Sequence, residues 1–501
     1  MTAIVGVLNK HAVAIAADSA ATINGVLGRK VLNQATKIVT LSKYHPVAVM
    51  IYSSSSFLGT PWDVIVKLYR DRLGDNDFNS VSDYISDFIQ FLTDNHFFSS
   101  DTLQKKHLRF QLFKFYQDVE ERSIAQIGGK VTDSSKSYLF NTIKDNLNAL
   151  KALYEQHSQC EGLLSYTFER LQEYCVDIFN DLYEYIVNKT GAPGELFDLA
   201  KYVFYLLLKS SRNIVGYTGL VFVGYGKEEI FPSLMPVNIA IAFDGALRYY
   251  YDKQSEAIIS ENNSAAICPF AQTDVMETIL TGIDPSVKNF ISELFSKSLK
   301  AYSGLVSNTI KISNQNTVLS TAIENIDISG IKKVFDDAID DAIGKQYIAP
   351  LVDTVAYLEK EDMADMAESL VSLTFLKRRM MSSEESVGGP VDVAIISKSD
   401  GFVWIKRKHY FQKELNHQFF SNYYKKMETM HIYKRGISSN QMFNTSELDD
   451  DEFDAMSKKE LESMVNRVAD SILDEINRQI TLAQEQDKQE KSQGKKGEKK
   501  K

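Results

Sequence analysis

Cysteine is almost missing from this 501-residue chain: Cys160, Cys175 and Cys268 stand far apart, with no CxxC and no Cys/His ligand spacing. That scarcity argues against a disulfide framework or a zinc site and suits a reducing compartment. No uninterrupted apolar run approaches membrane-spanning length. The opening MTAIVGVLNKHAVAIAAD lacks the basic start and long apolar stretch of a secretory signal. Excess positive charge is absent too, and a net charge of −10 argues against general nucleic-acid binding. No Walker loop occurs, and GYG at 224–226 is too short for a nucleotide fingerprint. His409, His417 and His431 share no metal-ligand spacing. The expectation is a cytoplasmic protein with no cofactor, no metal, and neither nucleic acid nor membrane as partner.

What the chain does have is enough apolar material (44%) for a large core. Short β-type runs at 2–8 and 12–17 are joined by the polar turn Asn9-Lys10-His11, and two more lie at 36–41 and 46–52. These predict one four-strand meander. From Trp62 to about Arg212 apolar residues recur at helical spacing, as in DVIVKLYRDRL (63–73) and YISDFIQFL (84–92). Strand signals return at 219–226, 237–245, 246–252 and 257–260. A second helical block is predicted from Phe270 to about Met381, then a hairpin of 391–397 and 402–406 turned by Ser399-Asp400-Gly401. Helical spacing recurs at 457–483, and the final KQEKSQGKKGEKKK reads as a disordered, solvated tail. This order of elements predicts an α+β protein in which helices cover packed sheets.

Candidate chemistry sits at the start. Met1 precedes Thr2, and a residue that small allows the initiator methionine to be clipped. Thr2 would then carry a free α-amine beside its own hydroxyl. Such an amine titrates near pH 7.7–8.0, so about a fifth or less is free base at neutral pH. It can take the hydroxyl proton directly or through one water. Met-Thr alone is a common beginning, and only the residues after it give it meaning.

The runs TAIVGV, AVAIAADSAAT (12–22) and ATKI (35–38) resemble the start of proteasome β subunits and their bacterial homologues. The resemblance implies a four-layer αββα N-terminal-nucleophile hydrolase sandwich. It further implies Thr2 as nucleophile, Asp18 as the aspartate closing the second strand, and Lys37 as the lysine opening the third. The stretch between Thr22 and Lys37 is about two residues longer than usual, which makes Lys30 a rival. A buried ammonium beside Thr2 would lower the pKa of the amine, and Asp18 would hold that ammonium. The family's oxyanion donor, a glycine N–H after the fourth strand, maps to Ser53 in YSSSS (52–56).

SVGGPVDVAIISKSDG (386–401) is similar to the family's late strand, whose preceding loop supplies an aspartate and a serine that settle the amine. Glu384 and Ser386 are the candidates here, with Val387 standing where the serine is expected; Gly388-Gly389 otherwise reads as a tight turn. For the family's middle serine, Ser260 or Ser264 lies in the corresponding stretch, while Cys268 reads as a small apolar residue. PFAQTD (269–274) and VGGPVD (387–392) match segments of larger bacterial proteasome-like proteins. The implied division is a core in three parts (1–61, 216–282, 361–410), helical insertions at 62–215 and 283–360, and an extension from 411 to 501 with a disordered basic tail from about 485.

The function implied is a threonine-type peptidase or amidohydrolase acting on peptide or protein, assembled as a homo-oligomer. Its competitors are a catalytically silent scaffold that binds partners through the helical insertions and an amidase for small molecules. The first step is checked by intact mass. Protein purified from cells is expected to begin at Thr2, and retention of Met1 would place the amine on the wrong residue.

Overall fold

The computed structural model describes residues 2–25, 28–32, 34–129, 136–190, 194–314, 317–381 and 388–409, with Leu415, Asn416 and Gln418. Its strands are β1 (Ala3–Asn9), β2 (Val13–Ala17), β3 (Ala21–Gly25), β4 (Gly28–Leu32), β5 (Ile38–Thr40), β6 (Val47–Ser53), β7 (Ser56–Phe57) and β8 (Thr60–Pro61) in the first part. Later come β9 (Thr218–Gly224), β10 (Ser233–Phe243), β11 (Ala246–Tyr251), β12 (Ala257–Ile258), β13 (Ala265–Ala271), β14 (Asp392–Ser397) and β15 (Gly401–Lys406). The chain is mixed α+β, and its strands pair antiparallel.

Two large sheets form. One has the order β13-β1-β2-β14-β15 and the other β11-β10-β9-β6-β5, with β12 pairing β10. The expected single meander is therefore corrected: β1 and β2 belong to the first sheet, β5 and β6 to the second. The reason lies in what occupies the free edge of β2. That edge takes β14, with Ala17 opposite Asp392, and a separate β3–β4 hairpin that the sequence did not announce carries the chain across to the other sheet.

Alternation of side chains explains why these runs read as continuously apolar. Along β1, Ile4 and Leu8 face the second sheet, where they share a core with Ala48, Met50, Val221 and Val223. Ala3, Val5 and Val7 face the other way, as do Ala14 and Ala16 of β2. Those residues pack on Met276 of α8 (Asp274–Thr281) and on Met363, Ala367 and Leu370 of α13 (Lys360–Met381). The second sheet behaves alike: Val47, Val49, Leu220 and Phe222 turn outward onto Trp62 and Tyr69 of α1 (Trp62–Leu73) and Tyr84 and Phe88 of α2 (Val81–Asp94). Strands covered on both faces lose the polar alternation of a half-exposed sheet.

The rest of the first helical stretch, α3 (Asp101–Gln126), α4 (Lys136–Glu155), α5 (Phe168–Tyr174), α6 (Val176–Thr190) and α7 (Gly194–Lys209), has its own core. Phe115 and Tyr116 are buried in it, whereas Phe110 is exposed. That core extends to Ala240, Ile241, Phe243 and Tyr250 of β10–β11. Arg248, 1% exposed, fixes the junction by donating to the carbonyls of Leu207, Leu208, Ser210 and Arg212 around the end of α7. In the second helical stretch, α9 (Pro285–Asn314), α10 (Thr317–Glu324), α11 (Ser329–Ile343) and α12 (Ala349–Val355) precede α13. Phe295 stacks on Phe335 between α9 and α11, but Phe290, Leu294, Tyr302, Leu305 and Val334 are exposed. The second helical stretch also starts later than expected, because residues 265–271 form a strand and helix begins only at Asp274. The segments 410–414 and 419–501, including the predicted helix at 457–483 and the basic tail, lie outside the described residues.

Gly162 tests the docking of the helical stretch on β11. A Cβ there would stand 1.9 Å from the carbonyl oxygen of Leu247. Gly162→Ala is expected to destabilise by about 1–3 kcal/mol, read as a lower urea midpoint; an unchanged midpoint would mean the junction yields freely.

Candidate active site

The ends of β1, β2 and β5 converge on one carboxylate. Asp18 directly follows β2 and is 1% exposed. Its Oδ1 accepts from the Lys37 ammonium at 2.6 Å and from the Ala3 N–H at 2.8 Å. Its Oδ2 accepts from the N–H groups of Ala20 at 3.1 Å and Gly388 at 3.3 Å. A buried carboxylate needs such donors, since its charge is otherwise costly to remove from water. Ser19 continues the arrangement, with its N–H on the Gly388 carbonyl (3.1 Å) and its Oγ on that of Pro390 (2.6 Å).

Lys37 directly precedes β5 and is 5% exposed. Its carbonyl accepts from the Ile51 N–H at 2.8 Å, which ties it to β6. Burial holds its ammonium below the usual lysine pKa, and the Asp18 carboxylate opposes that shift. The rival Lys30 lies in the β3–β4 hairpin, where its backbone pairs with Ile23.

Thr2 is 8% exposed, and its carbonyl accepts from the Gln272 N–H at 3.1 Å. Its chain neighbour Ala3 is thus held by the same oxygen that holds Lys37. Thr2, Asp18 and Lys37, named from the sequence, are brought together. Ser53 ends β6 with a left-handed φ of 69° and an exposed side chain. That backbone conformation costs a non-glycine residue about 1–3 kcal/mol, and it fits a position where a glycine was expected. The adjacent Tyr52 ring lies 5.7 Å from that of Phe270, the strand partner of Ile4, so the end of β6 faces the end of β1 across the sheets. The Tyr217 carbonyl accepts from the Ser54 N–H at 3.1 Å, and burial pushes the Tyr217 hydroxyl pKa up.

Glu384, Ser386 and Val387 lie outside the described residues. The glycine pair after them does more than turn the chain: Gly388 exchanges hydrogen bonds with Asp18 and Ser19, and Gly389 supplies a φ of 76°. Ser260 and Ser264 are corrected. With Ala3 opposite Ala271 and Asn9 opposite Ala265, they belong to the far end of β1, roughly 20 Å from Thr2 at strand rise. The residues that do neighbour Thr2 are Ala271, with φ 69°, and Gln272, whose side-chain oxygen accepts from Arg378 at 3.0 Å. Sequence reasoning missed both; the signal was PFAQTD, in which the strand ends inside the motif. Cys268 pairs with Gly6 in mid-strand, and burial pushes its thiol up to about 12.

No family model and no curated protein matches the chain. Among solved structures it is similar to an Anbu (Gly-1) mutant from Hyphomicrobium sp. strain MC1, with 9% identity, 89% of this chain and 100% of that one covered, and a TM-score of 0.26. It is also similar to Anbu (ancestral beta-subunit) from Yersinia bercovieri, with 10% identity, 88% and 100% covered, and a TM-score of 0.25. Overlap at that level leaves the reading of the site to its own geometry.

The Asp18 carboxylate keeps N–H donors from Ala3, Ala20 and Gly388 if Lys37 is lost, whereas among the described residues Lys37 hydrogen-bonds through its ammonium to Asp18 alone. Asp18→Ala is therefore expected to cost roughly 3–5 kcal/mol, and Lys37→Met less. Chemical denaturation of the two variants checks the asymmetry, and the opposite order would overturn it.

Proposed function

We propose that this chain is a threonine-type peptidase or amidohydrolase whose nucleophile is Thr2 after removal of Met1. The observation that carries the reading is the double use of Asp18 Oδ1, which fixes a buried ammonium and the backbone of residue 3 at one point. A cation held there lowers the pKa of a free amine on Thr2 and stabilises its hydroxyl as it loses a proton. The sheet-on-sheet packing with helices on both outer faces supports assignment to the αββα N-terminal-nucleophile sandwich. In that assignment 1–61, 216–282 and 361–410 are the three parts of the core.

In the proposed reaction the α-amine takes the Thr2 hydroxyl proton while Oγ attacks the substrate carbonyl. Backbone donors around Ser53, where the left-handed φ reshapes the strand end, hold the oxyanion. Collapse breaks the C–N bond, and the leaving amine takes the proton from the α-ammonium. Water then attacks the resulting ester, with the α-amine again as base, to release the acid and restore Thr2. Glu384 and Ser386 are the proposed helpers that settle the amine. The substrate is a peptide or protein, and the working unit is a homo-oligomer.

A second reading, a silent scaffold that binds partners through its helices, is favoured by Val387 at the expected serine position and by Ala271 and Gln272, rather than Ser260 or Ser264, as the neighbours of Thr2. A peptide epoxyketone or β-lactone separates the two. The enzyme is expected to gain one mass adduct on Thr2, and Thr2→Ala is expected to lose it together with at least about 10³-fold in hydrolysis rate. Because the base must be unprotonated, adduct formation is expected to quicken as pH rises through the titration of the amine. Absence of any adduct across that range would favour the scaffold.

A further inference from the structure

A second ion pair, between buried Asp392 and half-buried Lys408, stands beside the first. Asp392 opens β14 directly opposite Ala17, the residue before Asp18, and is only 2% exposed. Its Oδ1 accepts from the backbone N–H of Lys408 at 2.8 Å and its Oδ2 from the Lys408 ammonium. Lys408 lies just past β15, the strand on the other side of β14. The ends of the neighbouring strands β2, β14 and β15 thus present Asp18, Asp392 and Lys408, and β5 of the other sheet brings Lys37 to the same corner. Burying charge in this way costs desolvation that well-packed apolar residues would avoid, so stability alone gives little reason for the pair.

We propose that Asp392 and Lys408 are a positioning pair that tunes the electrostatics of Lys37, and hence the reactivity of Thr2. The proposal rests on the reading of Thr2 as nucleophile. Among the described residues the charged groups acting on Lys37 are Asp18, Lys408 and Asp392; Lys408 works against its protonated form and Asp392 in favour of it. The two members of the pair therefore act on one ammonium with opposite signs, and the register that sets Asp392 opposite Ala17 holds them at the strand end that carries Asp18.

The test is the titration of Lys37, followed in the full-length chain by NMR of lysines labelled at Cε and assigned with Lys37→Arg. Lys408→Met removes a cation and leaves a bare carboxylate, so the Lys37 pKa is expected to rise by roughly 0.5–1 unit. Asp392→Asn leaves the cation unopposed, and the pKa is expected to fall by a similar amount. The double variant Asp392→Asn/Lys408→Met is expected to lie between the two, and Lys408→Arg to stay near the parent. Should Lys408→Met fail to fold, Asp392→Asn against the double variant carries the same comparison. Shifts in one direction for both, or shifts below about 0.2 unit, would overturn the proposal. The pH profile of β-lactone adduct formation on Thr2 is expected to move in the parent-to-variant comparison as well. If the parent forms no adduct at any pH, the nucleophile reading fails while the Lys37 titration still decides the pair.

Discussion

Four separate stretches of chain place a donor on the carboxylate of Asp18: the start of β1, the residues after β2, the entry to β5 and the loop before β14. In a dry interior a bare carboxylate is costly, and the four donors offset that cost together. The contact is structural and chemical at once. It sets where residue 2 sits, and it fixes a cation beside it. Removing the acid strands the ammonium, and misplacing any of the four segments leaves the acid under-satisfied. The geometry of the candidate site therefore depends on the two sheets being in register at this corner.

Much of that corner was legible in the sequence. AVAIAAD ends a strand on an acid and ATKI opens one on a lysine, and the resemblance of these runs to proteasome β subunits implied that the two belong to one site. Ser53 was legible as a position, and its left-handed backbone explains how a serine stands where a glycine was expected. The meander was misread because local hairpin signals do not report which sheet a strand joins. Runs apolar on both faces look alike in either layer, and the free edge of β2 is taken by a strand encoded near residue 392. Ser260 and Ser264 were chosen by position along the chain, and the antiparallel register of β1 with β13 sends them to the wrong end. Gln272 could not be read without that register, nor the Asp392–Lys408 pair without the pairing of β14 with β2 and β15.

The helical stretches differ in kind. α1 and α2 complete the core of the second sheet, and α8 and α13 that of the first, so these helices are as integral as the strands they cover. The α3–α7 group has its own core and joins the sheets through Arg248, a cation satisfied wholly by carbonyls rather than by an acid. α9–α11 bury far less and leave large apolar side chains open.

The hydrogen bond from Gly388 to Asp18 spans 370 positions of sequence. β1 stays incomplete on one side until β13 exists, and its neighbour β2 waits for β14. At ribosomal rates of about 5–20 residues per second, that delay is on the order of tens of seconds. During it the run Ala-Ile-Val-Gly-Val-Leu has no permanent partner on its outer edge. A chain that stops short of residue 388 therefore cannot complete this corner: the acid gains its last donor only when Gly388 has been made, so such a copy holds residue 2 and the ammonium less firmly.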